Sequence, residues 1–260
     1  MSRGELRRDP YMGVTTLSWN EQLALVLLLV AAGLGSPARA AAQGRIDPTL
    51  GPAPIKHSRT LFIFPGVNTV KDPDAVVPPL TTKQKYGMFW RRTFDRSLPL
   101  EALFFAGISQ GTNYSPRYGQ GWGAFAERFG SYSGSIAATS FFADAFLPSL
   151  LHQDPRYFRK GRGSFGLRLL NSLASEFVTH NDSGSTAVNV SGLLGFGMST
   201  ALSNAWAPRR SVTFNNTMQR LAVKMAISST LNLFREFGAY AVPARQETSN
   251  TAGQAAGTAP

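Results

Sequence analysis

The sequence predicts an all-α protein: a bundle of about six helices with glycine- and alanine-rich contacts, a Pro-rich N-terminal arm and a disordered C-terminal tail. Three observations predict it. Apolar residues recur at helical spacing, as in Leu169, Leu170, Leu173 and Phe177. Helix boundaries are marked: Thr81 with Gln84 three residues on has the spacing of a capping box, and Pro148 and Pro208 each stop a long small-residue stretch. No period-two series is long enough for a barrel, and the polar C-terminus does not resemble a terminal barrel strand.

Residues 1–40 read as a signal peptide. Leu23 to Gly35 is a charge-free apolar run, and Ala38-Arg39-Ala40 follows as an A-x-A cleavage signal. The chain is therefore expected to be exported, to the periplasm or cell envelope. It has no cysteine, so it relies on packing rather than disulfides. Residues 41–80 carry Pro48, Pro52, Pro54, Pro65, Pro73, Pro78 and Pro79 and read as an extended arm or linker, with a short strand at Thr60 to Phe64. Residues 81–240 form the helical domain, and the small, polar residues 241–260 read as a disordered tail.

Within the helical domain the first helix starts at Thr81 and places Tyr86, Phe89, Trp90 and Phe94 along one side. The second follows Pro99 ("LEALFFAGISQ"). The third is "GWGAFAERFGSYSGSIAATSFFADAFLP", Gly121 to Pro148. The fourth is "FGLRLLNSLASEFV", the fifth "STAVNVSGLLGFGMSTALSNAWA", and the sixth runs from about Thr213 to Phe237.

The third and fifth helices carry ridges of small residues four apart: Ala126, Gly130, Gly134 and Ala138 in one, Gly197, Ala201 and Ala205 in the other. Such ridges let two backbones approach closely, and each helical glycine costs about 1 kcal/mol relative to alanine unless a contact compensates. The two ridges are expected to pack against each other. Helix 122–147 carries Glu127, Arg128 and Asp144, and helix 186–207 is weakly hydrophobic, so spanning a bilayer is left open for both.

A net charge of +11 with only 16% charged residues describes a basic chain with long neutral stretches. Basic chains seek phosphates, and export removes nucleic acid as the source. The expected partners are a membrane surface or anionic lipid headgroups, and a second copy of the chain. The segment "HQDPRYFRKGRGSFGLR" concentrates Arg156, Arg159, Lys160, Arg162 and Arg168 among Tyr157, Phe158 and Phe165. Arginine forks fit phosphates, and aromatic rings suit a membrane interface, so these five residues are the candidate headgroup site.

Signals for other chemistry are weaker. "GISQG" (Gly107 to Gly111) matches the G-x-S-x-G elbow of serine hydrolases, but no strand precedes Ser109 and no helix follows it. "GQGWGA" (Gly119 to Ala124) partly matches a dinucleotide fingerprint without its strand. His57, His152 and His180 lack the spacing of metal ligands. "THNDSG" (Thr179 to Gly184) is a polar cluster between two helices. No catalytic residue, metal or cofactor is expected.

The order of motifs "GQGWGAFAERFGS", "LPSLLHQDPRYFRKGRGS", "EFVTHNDSG" and "LSNAWAP" resembles that of a group of uncharacterised exported bacterial proteins. The resemblance covers roughly residues 80 to 237 and implies export, but no activity. The expected function is non-enzymatic: a membrane-associated helical protein of the envelope with a binding or structural role. The alternatives are an envelope serine hydrolase using Ser109 and a soluble periplasmic carrier of a lipid-like ligand.

Overall fold

The structure, a computed structural model, describes residues 45–51, 59–60, 64–65 and 69–238. The signal peptide, the C-terminal tail, His57 and most of the Thr60–Phe64 segment lie outside the described residues. What is described is mostly helical, as expected, with short strands that periodicity did not reveal.

Helix α1 (Thr82–Thr93) opens on Thr81, whose hydroxyl accepts from the Gln84 amide while the Gln84 side chain accepts from the Thr81 amide. This is the reciprocal cap that the spacing predicts. Helix α2 (Ser97–Gly111) follows after a short turn. Helix α3 (Trp122–Thr139) runs without a break into a π-helical turn, Ser140–Phe146, and then into the single turn α4 (Leu147–Leu150). Helix α5 (Phe165–Ala174) is capped by Ser164, α6 (Val190–Ser203) by Asn189, and α7 (Phe214–Phe237) by Thr213.

Two boundaries differ from expectation. Helix α5 ends at Ala174, and α6 begins only at Val190. The chain between them forms an antiparallel hairpin, Val178–Asn181 paired with Thr186–Val188, and Gln153–Asp154 adds a third strand. The β-branched run "STAV" reads as the start of a helix, but tertiary pairing makes it a strand. The turn needs Gly184, which sits at φ +86° against the carbonyl of Ile46; a Cβ there would lie 2.5 Å from that oxygen.

The described parts of the arm are bound to the domain. Arg45–Ile46 pairs in parallel with Val76–Val77, and Thr69–Val70 pairs in parallel with Tyr157–Phe158. Ile46, Val70 and Phe158 make a small apolar core, joined by Ala75 and Val77.

The helices pack in an unusual sense. Large apolar side chains point outward, and small or polar ones point inward. In α2, Leu100, Leu103, Phe104 and Ile108 are exposed while Ala102, Ala106 and Ser109 are buried. In α6, Leu194, Met198 and Leu202 are exposed while Ser191, Gly195, Ser199, Thr200 and Ser203 are buried. In α1, Trp90 and Phe94 face out, and Lys85 and Met88 lie inside. In α5, Leu170 of the predicted apolar stripe is exposed, while Arg168, Asn171 and Ser172 are buried.

The predicted pairing of small ridges needs correction for the same reason. Helices α3 and α6 do meet, and Thr139 Oγ1 donates to Ser199 Oγ at 3.1 Å. But Ala126, Gly130, Ala201 and Ala205 are exposed, and nothing would lie within 4 Å of a Cβ at Gly130 or Gly197. Gly134 faces the ring of Trp206 at ordinary contact distance, and Ala138 is buried. The close backbone approach is elsewhere: a Cβ at Gly195 would lie 2.7 Å from Ala143 Cα in the π-helical turn. Since the inward face of α6 is its serine and threonine face, the ridge two positions on from Gly195 and Ser199 is turned away from it.

Among the described residues no helix is long and apolar enough to cross a membrane.

Candidate functional site

The interior is built from charged and hydrogen-bonded side chains. At the C-terminal end of α7 the Glu236 carboxylate is fully buried. It accepts from Arg168 Nε at 2.9 Å, from the Tyr157 hydroxyl at 2.8 Å, and from the amides of Lys160 and Gly161 at 3.0 and 2.9 Å. Burial alone would raise this carboxyl; the donors outweigh it and hold Glu236 below the ordinary glutamate range. Burial and the Glu236 charge push Tyr157 far up, so it stays a neutral donor. The Glu236 carbonyl accepts from Arg159 Nε at 3.0 Å and from Arg168 at 2.7 Å.

Nearby, Asp154 holds Arg156 in a bidentate pair, and Arg156 also donates to the Pro78 carbonyl at 2.8 Å. Thr179 Oγ1 donates to the Asp154 carbonyl at 2.7 Å, and His180 lies against Phe158 with ring centroids 4.5 Å apart. Burial lowers the His180 pKa and favours the neutral ring. A third anchor ties α1 to the hairpin turn: Lys85 Nζ, almost fully buried, donates to both Asp182 oxygens at 2.9 and 2.7 Å and to the Pro148 carbonyl at 3.1 Å.

These contacts place the predicted headgroup residues. Arg156 and Arg168 are paired to carboxylates, and Arg159 holds a main-chain oxygen at the end of α7. Only the Arg162 side chain is largely exposed, in a pair with the equally exposed Asp74 at 2.8 Å. Much of the basic segment is thus turned inward as a clamp between the strand Tyr157–Phe158 and the helices. Arg156 has its acid two residues away, but for Arg159 and Arg168 local composition carries no sign of this, because Glu236 lies far along the chain.

Two cavities lie among the helices. One, of about 430 Å³, is bounded by α5, the hairpin, α6 and α7. The other, of about 450 Å³, is bounded by α2, α3, α6 and α7. Ala143, Asp144, Phe196, Ser228 and Arg235 border both. Asp144 belongs to the π-helical turn, and Ser140 donates to it at 2.9 Å. Burial raises its pKa against the pull of Arg92. In the first cavity Glu176 is buried, accepts from Asn232 at 2.8 Å, and is pushed by burial up to about 7.

The second cavity contains basic groups that sequence reading missed. Arg220 and Lys224 stand one turn apart on the inner side of α7. Lys224 Nζ donates to Ser199 Oγ at 2.9 Å, and burial followed by the Arg220 charge brings its pKa down to about 8. Arg220 donates to Asn204 Oδ1 and Thr217 Oγ1, and its buried Nε has no hydrogen-bond partner among the described residues. The i, i+4 spacing was visible in the sequence; that it points inward was not.

Ser109 borders this cavity from inside α2, with its hydroxyl buried and without a hydrogen-bond partner among the described residues. It is on a helix, not at a strand-to-helix turn, and His180 lines the other cavity. Gly119 and Gly121 take positive φ and form the entry to α3, not a phosphate loop after a strand. Among the described residues no group of His, Asp and Glu has the arrangement of a metal site.

No protein family, curated protein or solved structure matches this chain.

Proposed function

We propose that the protein is a non-enzymatic, membrane-associated component of the bacterial cell envelope, seated in the membrane surface through its outer apolar faces. The observation that carries this reading is the inverted α2. Leu100, Leu103, Phe104 and Ile108 follow helical spacing and are all exposed, Phe104 by 62%, while the opposite face is small and buried. Helix α6 repeats the arrangement with Leu194, Met198 and Leu202. Apolar area of this extent is costly in water and stable against lipid. With 14 residues, α6 spans about 21 Å, short of the ~30 Å hydrocarbon core, so the seat is partial.

The helix ends fit an interface. Among the described residues Phe94, Trp122, Phe165 and Phe214 are the most exposed aromatics, and each marks a helix end. Basic residues stand close to each in sequence: Arg96, Arg117, Arg162 and Arg210. Aromatic rings at headgroup level beside lysine or arginine are the usual anchors of membrane-seated helices. Arg162 and Arg210, rather than the internally paired Arg156 and Arg168, would carry headgroup contact.

Co-flotation of the mature protein with vesicles tests this reading. The protein should float with phosphatidylcholine vesicles containing phosphatidylglycerol and stay bound in high salt, since apolar burial is not screened. Complete release by salt, or no flotation, would count against it. The hydrolase alternative has little support, given the helical setting of Ser109. For the alternative of a carrier of a lipid-like ligand, cavities bordered by Asp144, Glu176, Arg220, Lys224 and Arg235 suit a charged head rather than an apolar tail.

A further inference from the structure

We propose that the cavity between α3, α6 and α7 is a binding site for a phosphate-bearing ligand, held by Arg220 and Lys224. The two side chains are one turn apart on α7 and border the same 450 Å³ cavity. Their partners are neutral: Ser199 for Lys224, and Asn204 and Thr217 for Arg220. Among the described residues neither forms an ion pair with a carboxylate. The acids that border the cavity are engaged elsewhere. Glu101 pairs with Arg92 at 3.6 Å, and Asp144 takes its hydrogen bond from Ser140 in the field of Arg92 and Arg235.

Two neighbouring cations without an anion, inside a protein, are a destabilising arrangement unless something of opposite charge completes it. The arrangement is also built to receive it. Arg220 Nε is buried, unpartnered and available as a donor. Ser199 is fixed by its own bond to the Phe196 carbonyl at 3.1 Å and by Thr139 at 3.1 Å, so Lys224 is held on a rigid wall. Tyr114 and Ser135 border the same space and offer further hydroxyl donors, while the Thr200 hydroxyl donates to the Phe196 carbonyl at 2.7 Å. An arginine fork beside a lysine point charge and several hydroxyls is the chemistry that recognises a phosphate group. The size admits more than an inorganic ion, as ligand pockets start at roughly 300 Å³. The phosphate could belong to a lipid headgroup entering from the membrane or to a free phosphate ester.

Binding is measured as the rise in Tm of the full mature chain in detergent, titrated with inorganic phosphate, glycerol 3-phosphate or short-chain phosphatidylglycerol, with chloride at equal ionic strength as reference. A saturable rise with at least one phosphate compound supports the site. A response to phosphatidylglycerol alone assigns the lipid headgroup as its source, and a response to the free phosphates assigns the soluble one. Lys224→Met should raise Tm without ligand, because it removes an uncompensated charge, and should weaken ligand binding at least tenfold. Arg220→Gln should weaken binding similarly, and the exposed Lys83→Gln should leave it unchanged. No saturable response to any phosphate compound, or equal binding by wild type and Lys224→Met, would overturn the proposal.

Discussion

Glu236 is fully buried at the end of α7, where donors from separate parts of the chain converge on it. Its carboxylate joins α7 to the Tyr157 hydroxyl, the Lys160 and Gly161 amides, and Arg168. Replacing Glu236 with Gln removes the buried charge opposite Arg168 and disrupts the hydrogen bonds that converge on this carboxylate. The expected loss is about 3–5 kcal/mol of unfolding free energy, read by denaturant titration. Since the Glu236 pKa is lowered in the fold, its contribution is present above the ordinary value of 4.5 and is lost as pH falls through the folded value. Glu176 has the opposite sign. Its pKa rises from 4.5 to about 7 through burial, so the folded protein holds a proton that the unfolded chain has released. Stability then falls as pH rises from 4.5 to about 7 and levels off above, a difference of about 3 kcal/mol. Glu176→Gln should flatten that part of the stability profile, so that the variant gains on the parent at pH 8 but not at pH 4. A Glu176→Gln profile as steep through this window as the parent's would contradict the assignment.

At the scale of elements, the helix boundaries that rest on local chemistry were legible and those that rest on distant partners were not. The reciprocal cap of Thr81 and Gln84 was readable from two letters, and α7 starts where Thr213 indicated. The hairpin after α5 was not readable. Its strands are only four and three residues long and are held by partners far away, as when Gln153 donates to the Val188 carbonyl at 2.7 Å. The small ridges were recognised as meaningful, but their direction was misjudged at Ala126, Gly130, Ala201 and Ala205. Helical periodicity locates a face without saying whether it looks inward, and here the polar and small faces do. The contact between Gly195 and Ala143 offers a direct check. Gly195→Leu should destabilise by about 1–3 kcal/mol or more, since its Cβ alone would collide with the Ala143 backbone. Gly197→Ala, at a position open to the outside, should be neutral or stabilise by up to about 1 kcal/mol through helix propensity. Equal destabilisation at both positions in thermal denaturation would contradict the packing described.

Across the described residues, large apolar side chains face out and charged ones lie inside, and the proposed membrane seat rests on this distribution. Lys85, Arg128 and Glu236 are among its largest fully buried side chains, while Trp90, Phe104 and Leu194 face out. The interior charges were scattered along the sequence, and only the fold brings Lys85 to Asp182 or Arg168 to Glu236. The candidate anion site is the clearest case: Arg220 and Lys224 were ordinary helix residues until α6 supplied Ser199 and Asn204. Since the chain has no cysteine, single cysteines can report on each face separately. Leu103→Cys and Met198→Cys, each carrying an environment-sensitive fluorophore, should shift to the blue and be quenched by lipid-borne quenchers when the protein is added to vesicles. A label at the exposed Lys83→Cys should respond weakly. If the labels at Leu103 and Met198 stay as wet in vesicles as in buffer, the apolar faces do not meet lipid, and the proposed membrane seat is wrong.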